Sequence, residues 1–130
     1  MRKATYAGLK RKLDKAWSEL VRRRDADRNG NVRCVTCGAT SHWKWMQCGH
    51  FLPRHYLAGR WLEDNCNVQC PTCNIFRRGA YPEYADYLLK TFGASRIGEL
   101  LALKREKVKF TRSDLEEKLE AINIQLKALA

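Results

Sequence analysis

Residues 34–78 read CVTCGATSHWKWMQCGHFLPRHYLAGRWLEDNCNVQCPTCNIFRR, and this stretch decides the fold. It opens with Cys34-x-x-Cys37 and closes with Cys70-x-x-Cys73, with 32 residues between the pairs. Two such pairs supply the four thiolates of a closed tetrahedral zinc site, which ties the start of the segment to its end. The loop between the pairs carries His50, and Asn74 follows the last cysteine at once. A zinc staple would hold both side chains in a fixed relation, so the segment carries a candidate reaction centre as well as a structural one.

Outward from this segment the chain is strongly basic. Its 130 residues, one domain's worth of chain, carry a net charge of +11. The excess is uneven. Residues 1–33 hold eleven Lys/Arg against four Asp/Glu, residues 34–80 hold five against two, and residues 81–130 hold nine against eight. A one-sided basic footprint fits a polyanionic partner, most often nucleic acid. An inert solvated surface and an anionic membrane surface are the alternatives. The N-terminus, MRKATYAGLKRKLDKAW, has no apolar run of signal-peptide type. No stretch reaches transmembrane length, so no membrane partner is expected. Six cysteines in such a chain read as reduced, cytoplasmic and metal-binding rather than as a secreted disulfide scaffold.

The periodicities predict an α+β domain in three parts: a basic helix within 1–33, the cysteine-bound core 34–80, and a helical part 81–130. Leu9, Leu13, Ala16, Trp17, Leu20 and Val21 fall on one face of a helix over 5–26. Arg22, Arg23 and Arg24, delivered just before the cysteine segment, are phosphate-contact candidates, as are Arg54, Arg60, Arg77 and Arg78. Residues 43–48 favour a short strand with His50 emerging at its end, and 67–69 a second strand. A helix is expected from Pro71 to Gly79, with Cys70, Cys73, Asn74, Arg77 and Arg78 along one face. Further helices are expected over 82–93 and 95–107. Ser113 and Glu116 form a capping box for a last helix. There Leu115, Leu119, Ile122, Leu126 and Leu129 make a seam that packs either on the first helix or on a second copy in a homodimer.

A strand–loop–strand–helix unit with His50, Asn65 five residues before Cys70, and Cys70-Pro-Thr-Cys73-Asn74 resembles the ββα-metal core of HNH nucleases. The phage Holliday-junction resolvase endonuclease VII is similar, with an Asn directly after its last zinc cysteine as a magnesium ligand. The resemblance implies phosphodiester hydrolysis. His50 is then the general base, Asn65 orients the loop that bears it, and the Asn74 oxygen binds Mg²⁺, with Mn²⁺ as a substitute. Thiolates would hold structural zinc and oxygens catalytic magnesium. One position departs from the pattern: Gly49 stands where HNH enzymes usually carry a second metal ligand. Either Asn74 and waters hold the metal, or His55, Asp64 or His50 itself completes the shell. His50 as a fourth zinc ligand is the structural alternative. Cys48 and Cys66 are spare ligands or small buried apolar residues, and His42 and His55 read as surface histidines.

The stretches Arg33-Cys-Val-Thr-Cys-Gly38, His42-Trp-Lys, Gln47-Cys-Gly-His-Phe51, Asn65, Gln69-Cys-Pro-Thr-Cys-Asn-Ile-Phe76, Tyr84 and Lys90-Thr-Phe-Gly93 resemble the phage NinG (Rap) family over about residues 10–120. That resemblance implies a metal-dependent endonuclease of phage or prophage origin that cuts Holliday junctions and D-loops. A nuclease of ordinary duplex DNA and a non-catalytic zinc module are the rival readings.

Overall fold

The computed structural model describes residues 3–129. It is an α+β protein in which two small antiparallel sheets sit between helices. Helix α1 spans Tyr6–Arg23, and the Thr5 hydroxyl caps it by accepting the Gly8 N–H at 2.9 Å. Leu9, Leu13, Trp17, Leu20 and Val21 are buried along one face, as the period predicts. They pack on α5, Arg112–Ala128, whose Leu115 and Ile122 are buried in the same cluster. Leu119 and Leu126 close its edge, while Leu129 is 41% exposed and leaves it. The seam residues Leu115, Leu119, Ile122 and Leu126 are therefore used within the chain. Each fully buried Leu or Trp here contributes about 1.5–3 kcal/mol relative to exposure.

Helix α5 is not capped by Ser113 and Glu116. Thr111 is the extended residue before the helix; it accepts the Asp114 N–H and donates its own N–H to Asp114 Oδ2 at 2.8 Å. Ser113 falls inside the first turn, where a capping side chain has no free amide to reach.

Strands β1 (Asn31–Arg33) and β2 (Thr40–His42) form a ribbon that carries the first cysteine pair. Gly38 turns it at φ +81°, and a Cβ there would meet the Arg33 guanidinium at 2.8 Å. Residues 43–45 are not a strand. They make a tight helical turn, capped by His42 Nδ1, which accepts the Lys44 N–H at 3.2 Å. Strand β3 is instead Gln47–His50, so His50 ends the strand rather than following it. It pairs with β4, Cys66–Gln69, with His50 opposite Cys66 and Gln47 opposite Gln69. The loop between them holds a one-turn helix α2, Leu57–Arg60.

After β4 the expected α-helix is replaced by a π-type turn over Thr72–Phe76, closed by Arg77 N–H to the Thr72 carbonyl at 2.8 Å. Arg78, Gly79 and Ala80 then take φ of +52°, +93° and +48°, and Gly79 N–H caps the Cys73 carbonyl at 2.9 Å. This left-handed run ends the turn early, so Arg77 and Arg78 do not continue a regular face with Cys70 and Asn74. Helices α3 (Tyr81–Phe92) and α4 (Ala94–Ala102) follow, hinged at Gly93. Tyr84, Leu88 and Leu100 from these two pack with Phe51 under the β3–β4 loop. Among the described residues, no helix is long and apolar enough to cross a membrane.

Candidate metal and nucleic-acid centre

The four predicted cysteines converge. Cys34, Cys37, Cys70 and Cys73 place their Sγ atoms within 4.8 Å of one another, and Cys37 and Cys70 are 3.6 Å apart. Zinc bound to four thiolates at about 2.3 Å has ligand–ligand edges of about 3.8 Å, so the cluster fits zinc. Amide N–H groups of Ala39 and Cys73 reach Cys37 and Cys70 Sγ at 3.5 Å, and the Thr36 hydroxyl lies 3.3 Å from Cys34 Sγ. Burial raises the Cys34 thiol, but Thr36 and nearby amides outweigh it and bring it down to about 6. Zinc at this cluster would bind β1–β2 to the turn that carries Asn74.

Strand alternation sends Cys48 and His50 toward α1, and a cavity of about 260 Å³ lies there. His50 rims it with Asp14, Ser18, Arg22, Gln47 and Arg54, among others. The imidazole is half-buried, and its Nε2 lies 2.8 Å from the Arg60 carbonyl. A carbonyl only accepts, so the neutral ring carries its proton on Nε2 and keeps Nδ1 basic. Burial lowers the His50 pKa, but the hydrogen bond and charge of Cys66 outweigh it, together with the Arg60 carbonyl, and hold it above 6.5. Cys48, His50 and Cys66 offer ligand atoms within 4.8 Å of one another, a second set close enough to share an ion.

Asn65 is fully buried and holds the His50 loop. Its Oδ1 accepts the Leu52 N–H at 2.7 Å, and its Nδ2 donates to the Leu52 and Gly59 carbonyls at 3.0 and 2.9 Å. Tyr84, also fully buried, donates its hydroxyl to the Gly49 carbonyl at 2.8 Å and accepts from Asn67 Nδ2 at 3.1 Å. Helix α3 thus clamps the peptide immediately before His50.

The glycine at 49 has a steric cause. A Cβ there would lie 1.8 Å from Gln69 Oε1 and 2.6 Å from its Cδ. Gln69 is itself fixed, donating to Thr36 Oγ1 and the Gly79 carbonyl. No ligand-bearing side chain fits at 49. The oxygen-bearing neighbour of Asn74 is Gln47, whose Oε1 accepts from Asn74 Nδ2 at 2.7 Å. The sequence places Gln47 in the Gln47-Cys-Gly-His-Phe51 stretch but gives it no role beside Asn74. His55 is exposed, with its ring centroid 4.1 Å from that of Tyr56 and the planes tilted by 38°, and Asp64 pairs with Arg96 at 2.8 Å. Asp14 rims the cavity but is engaged by Arg60 Nε at 3.0 Å and Trp61 Nε1 at 2.9 Å. Burial raises its carboxyl, and Arg60, Trp61 and Arg54 outweigh this and hold it below its ordinary value.

The candidate arginines divide. Arg24 donates to the Cys66 carbonyl at 2.6 Å and to Asn67 Oδ1, and Arg22 donates to the Trp43 carbonyl at 3.2 Å and to Ser18. Arg23 pairs with Glu19 at 3.3 Å, and Arg60 with Asp14. Arg54, Arg77 and Arg78 are exposed. Arg22 and Arg23 also lie over the Trp43 ring, at 5.3 and 5.2 Å from its centroid.

A comparison with protein families matches residues 3–130 to the model described as Bacteriophage Lambda NinG protein. No curated protein and no solved structure matches the chain.

Proposed function

The chain belongs to the NinG family of phage proteins, and on that premise we propose that it is a metal-dependent DNA endonuclease acting on branched recombination intermediates. Membership fits a role in recombination, and the basic surface fits DNA. The observation that carries the catalytic reading is His50: a ring with its Nε2 on the Arg60 carbonyl, set at a cavity beside Gln47 and the exposed Arg54. On this reading the core is HNH-like, Nδ1 of His50 takes a proton from the attacking water, and Asn65 and Tyr84 hold the loop in place. Arg54, Arg77 and Arg78 engage phosphate.

For a divalent ion the chain offers the amide oxygens of Asn74 and Gln47, which suit Mg²⁺ in kind but bring no negative charge. Magnesium, or manganese in its place, would supply charge neutralisation at the scissile phosphate, with phosphate oxygens and waters filling the rest of its shell. The protein would work where phage DNA is recombined, in the host cytoplasm, and the homodimer that two symmetric nicks call for would need a surface other than the α5 seam.

The test is cleavage of a four-way junction and of linear duplex with the same sequence, in Mg²⁺. The junction should be cut preferentially, and His50→Ala should lose about 10²–10⁴-fold in rate while still binding DNA. Equal cutting of both substrates would favour an ordinary duplex nuclease. Unchanged cutting by His50→Ala would leave a zinc module that only binds.

A further inference from the structure

The turn that carries Asn74 has an apolar crest. Phe76 is 81% exposed and Ile75 56% exposed. A single exposed apolar residue is ordinary; two adjacent ones on a tightly held segment are less so. The turn is held at both ends, by Asn74 on Gln47, by Cys73 N–H on Cys70 Sγ, and by Gly79 N–H on the Cys73 carbonyl. The crest is therefore presented with its backbone already ordered, and little conformational freedom remains to be lost when a partner binds it.

The surrounding charge identifies that partner. Arg77 and Arg78 follow the crest directly and are exposed, and no acidic residue stands between Asp64 and Glu83. A partner with flat apolar faces spaced between anions satisfies both features, and that is nucleic acid. An intact duplex resists such a crest, because each base step must be unstacked to admit it. A branch point already interrupts the stack, so the cost is smallest there.

We propose that Ile75 and Phe76 form a wedge that stacks on a base exposed at a DNA branch point, with Arg77 and Arg78 on the flanking phosphates. The proposal rests on the branched-DNA reading above and gives it a selectivity element separate from His50. The wedge adds affinity only where the stack is broken, while the arginines add it everywhere.

The test is binding without cleavage, in Ca²⁺ and no Mg²⁺, to a four-way junction and a linear duplex of the same sequence, with 2-aminopurine at the branch. Phe76→Ala should weaken junction binding by about 10- to 100-fold, the worth of one base stacked on an aromatic ring, and leave duplex binding unchanged. Wild type stacked on the branch-point 2-aminopurine should change its fluorescence on binding, Phe76→Ala should lose that change, and Phe76→Trp should retain both affinity and signal. Replacing Arg77 and Arg78 with Gln should weaken both substrates alike. Zinc content confirms that each variant is folded. If wild type prefers the junction and Phe76→Ala keeps that preference, the wedge is wrong and the branched-DNA reading stands. If wild type shows no preference, both fall.

Discussion

His50 is set by two neighbours and a cavity. The Arg60 carbonyl fixes the proton on Nε2, Cys66 across the strand pair raises the basicity, and the cavity gives access. Because the folded pKa is raised, folding favours the protonated ring. That stabilisation is full below 6.5, the unfolded value, and is lost as pH rises through the higher folded value. Over the same rise the neutral, base-competent form accumulates. Cleavage should therefore increase with pH about a midpoint above 6.5. Cys66→Ala removes the larger raising influence and leaves burial opposed only by the Arg60 carbonyl, so its midpoint should move down; a profile that does not move would exclude the thiol as the cause. The second prediction concerns Gln47, which sits on Asn74 and on the cavity but brings no charge. Gln47→Asp would place a carboxylate where Mg²⁺ is proposed to bind. The magnesium needed for half-maximal cleavage should fall, by about tenfold if the carboxylate adds about 1.4 kcal/mol of differential binding. A requirement that rises instead would place the ion elsewhere.

At the scale of elements, the β3–β4 hairpin is positioned from both sides. Helix α1 covers one side with Leu13, Trp17 and Val21, and α3 reaches the other through Tyr84. The Tyr84 hydroxyl ties the Gly49 carbonyl, so the peptide ahead of His50 depends on a helix 35 residues further along. Burial pushes the Tyr84 phenol well up, which keeps it a donor at any working pH. Tyr84→Phe leaves the buried Gly49 carbonyl and Asn67 amide short of partners, which should cost about 1–3 kcal/mol in urea unfolding. Single-turnover cleavage should fall with it while DNA affinity holds. A variant as stable and as active as wild type would reduce Tyr84 to packing.

Across the whole molecule, one apolar core joins α1 to α5, a second lies under the cysteine ribbon, and a third joins α3 and α4 to the loop. The second is the smallest in apolar content, built from Val32, Met46, Val68, Ala80 and two cysteines of the four-cysteine cluster, Cys34 and Cys73. Zinc should therefore be required for that part to fold. Elemental analysis should find about one zinc per chain, and a strong chelator should melt residues 31–80 while the α1–α5 pair persists by circular dichroism. Two zincs per chain would assign the second to Cys48, His50 and Cys66 and would remove His50 from base catalysis.

The cysteine spacing determined the zinc-type cluster without help, because four ligands in two local pairs need only the ends of a segment to meet. The period of α1 and of α5 likewise announced which faces are buried. The exchange of roles among polar groups was decided by the tertiary structure. Arg22, Arg24 and Arg60 read as phosphate contacts because sequence reports charge, and the fold engages them with the carbonyls of Trp43 and Cys66 and with Asp14. Gly49 read as a missing ligand, and the fold fills that space with the Gln69 side chain. Gln47 stood in the Gly-His motif stretch without a role, and only the closure of the turn onto β3 brings it to Asn74. Periodicity and ligand spacing are properties of neighbours along the chain; which carbonyl, amide or carboxylate a charged side chain will meet depends on segments tens of residues away, and is fixed only when the apolar cores bring them together.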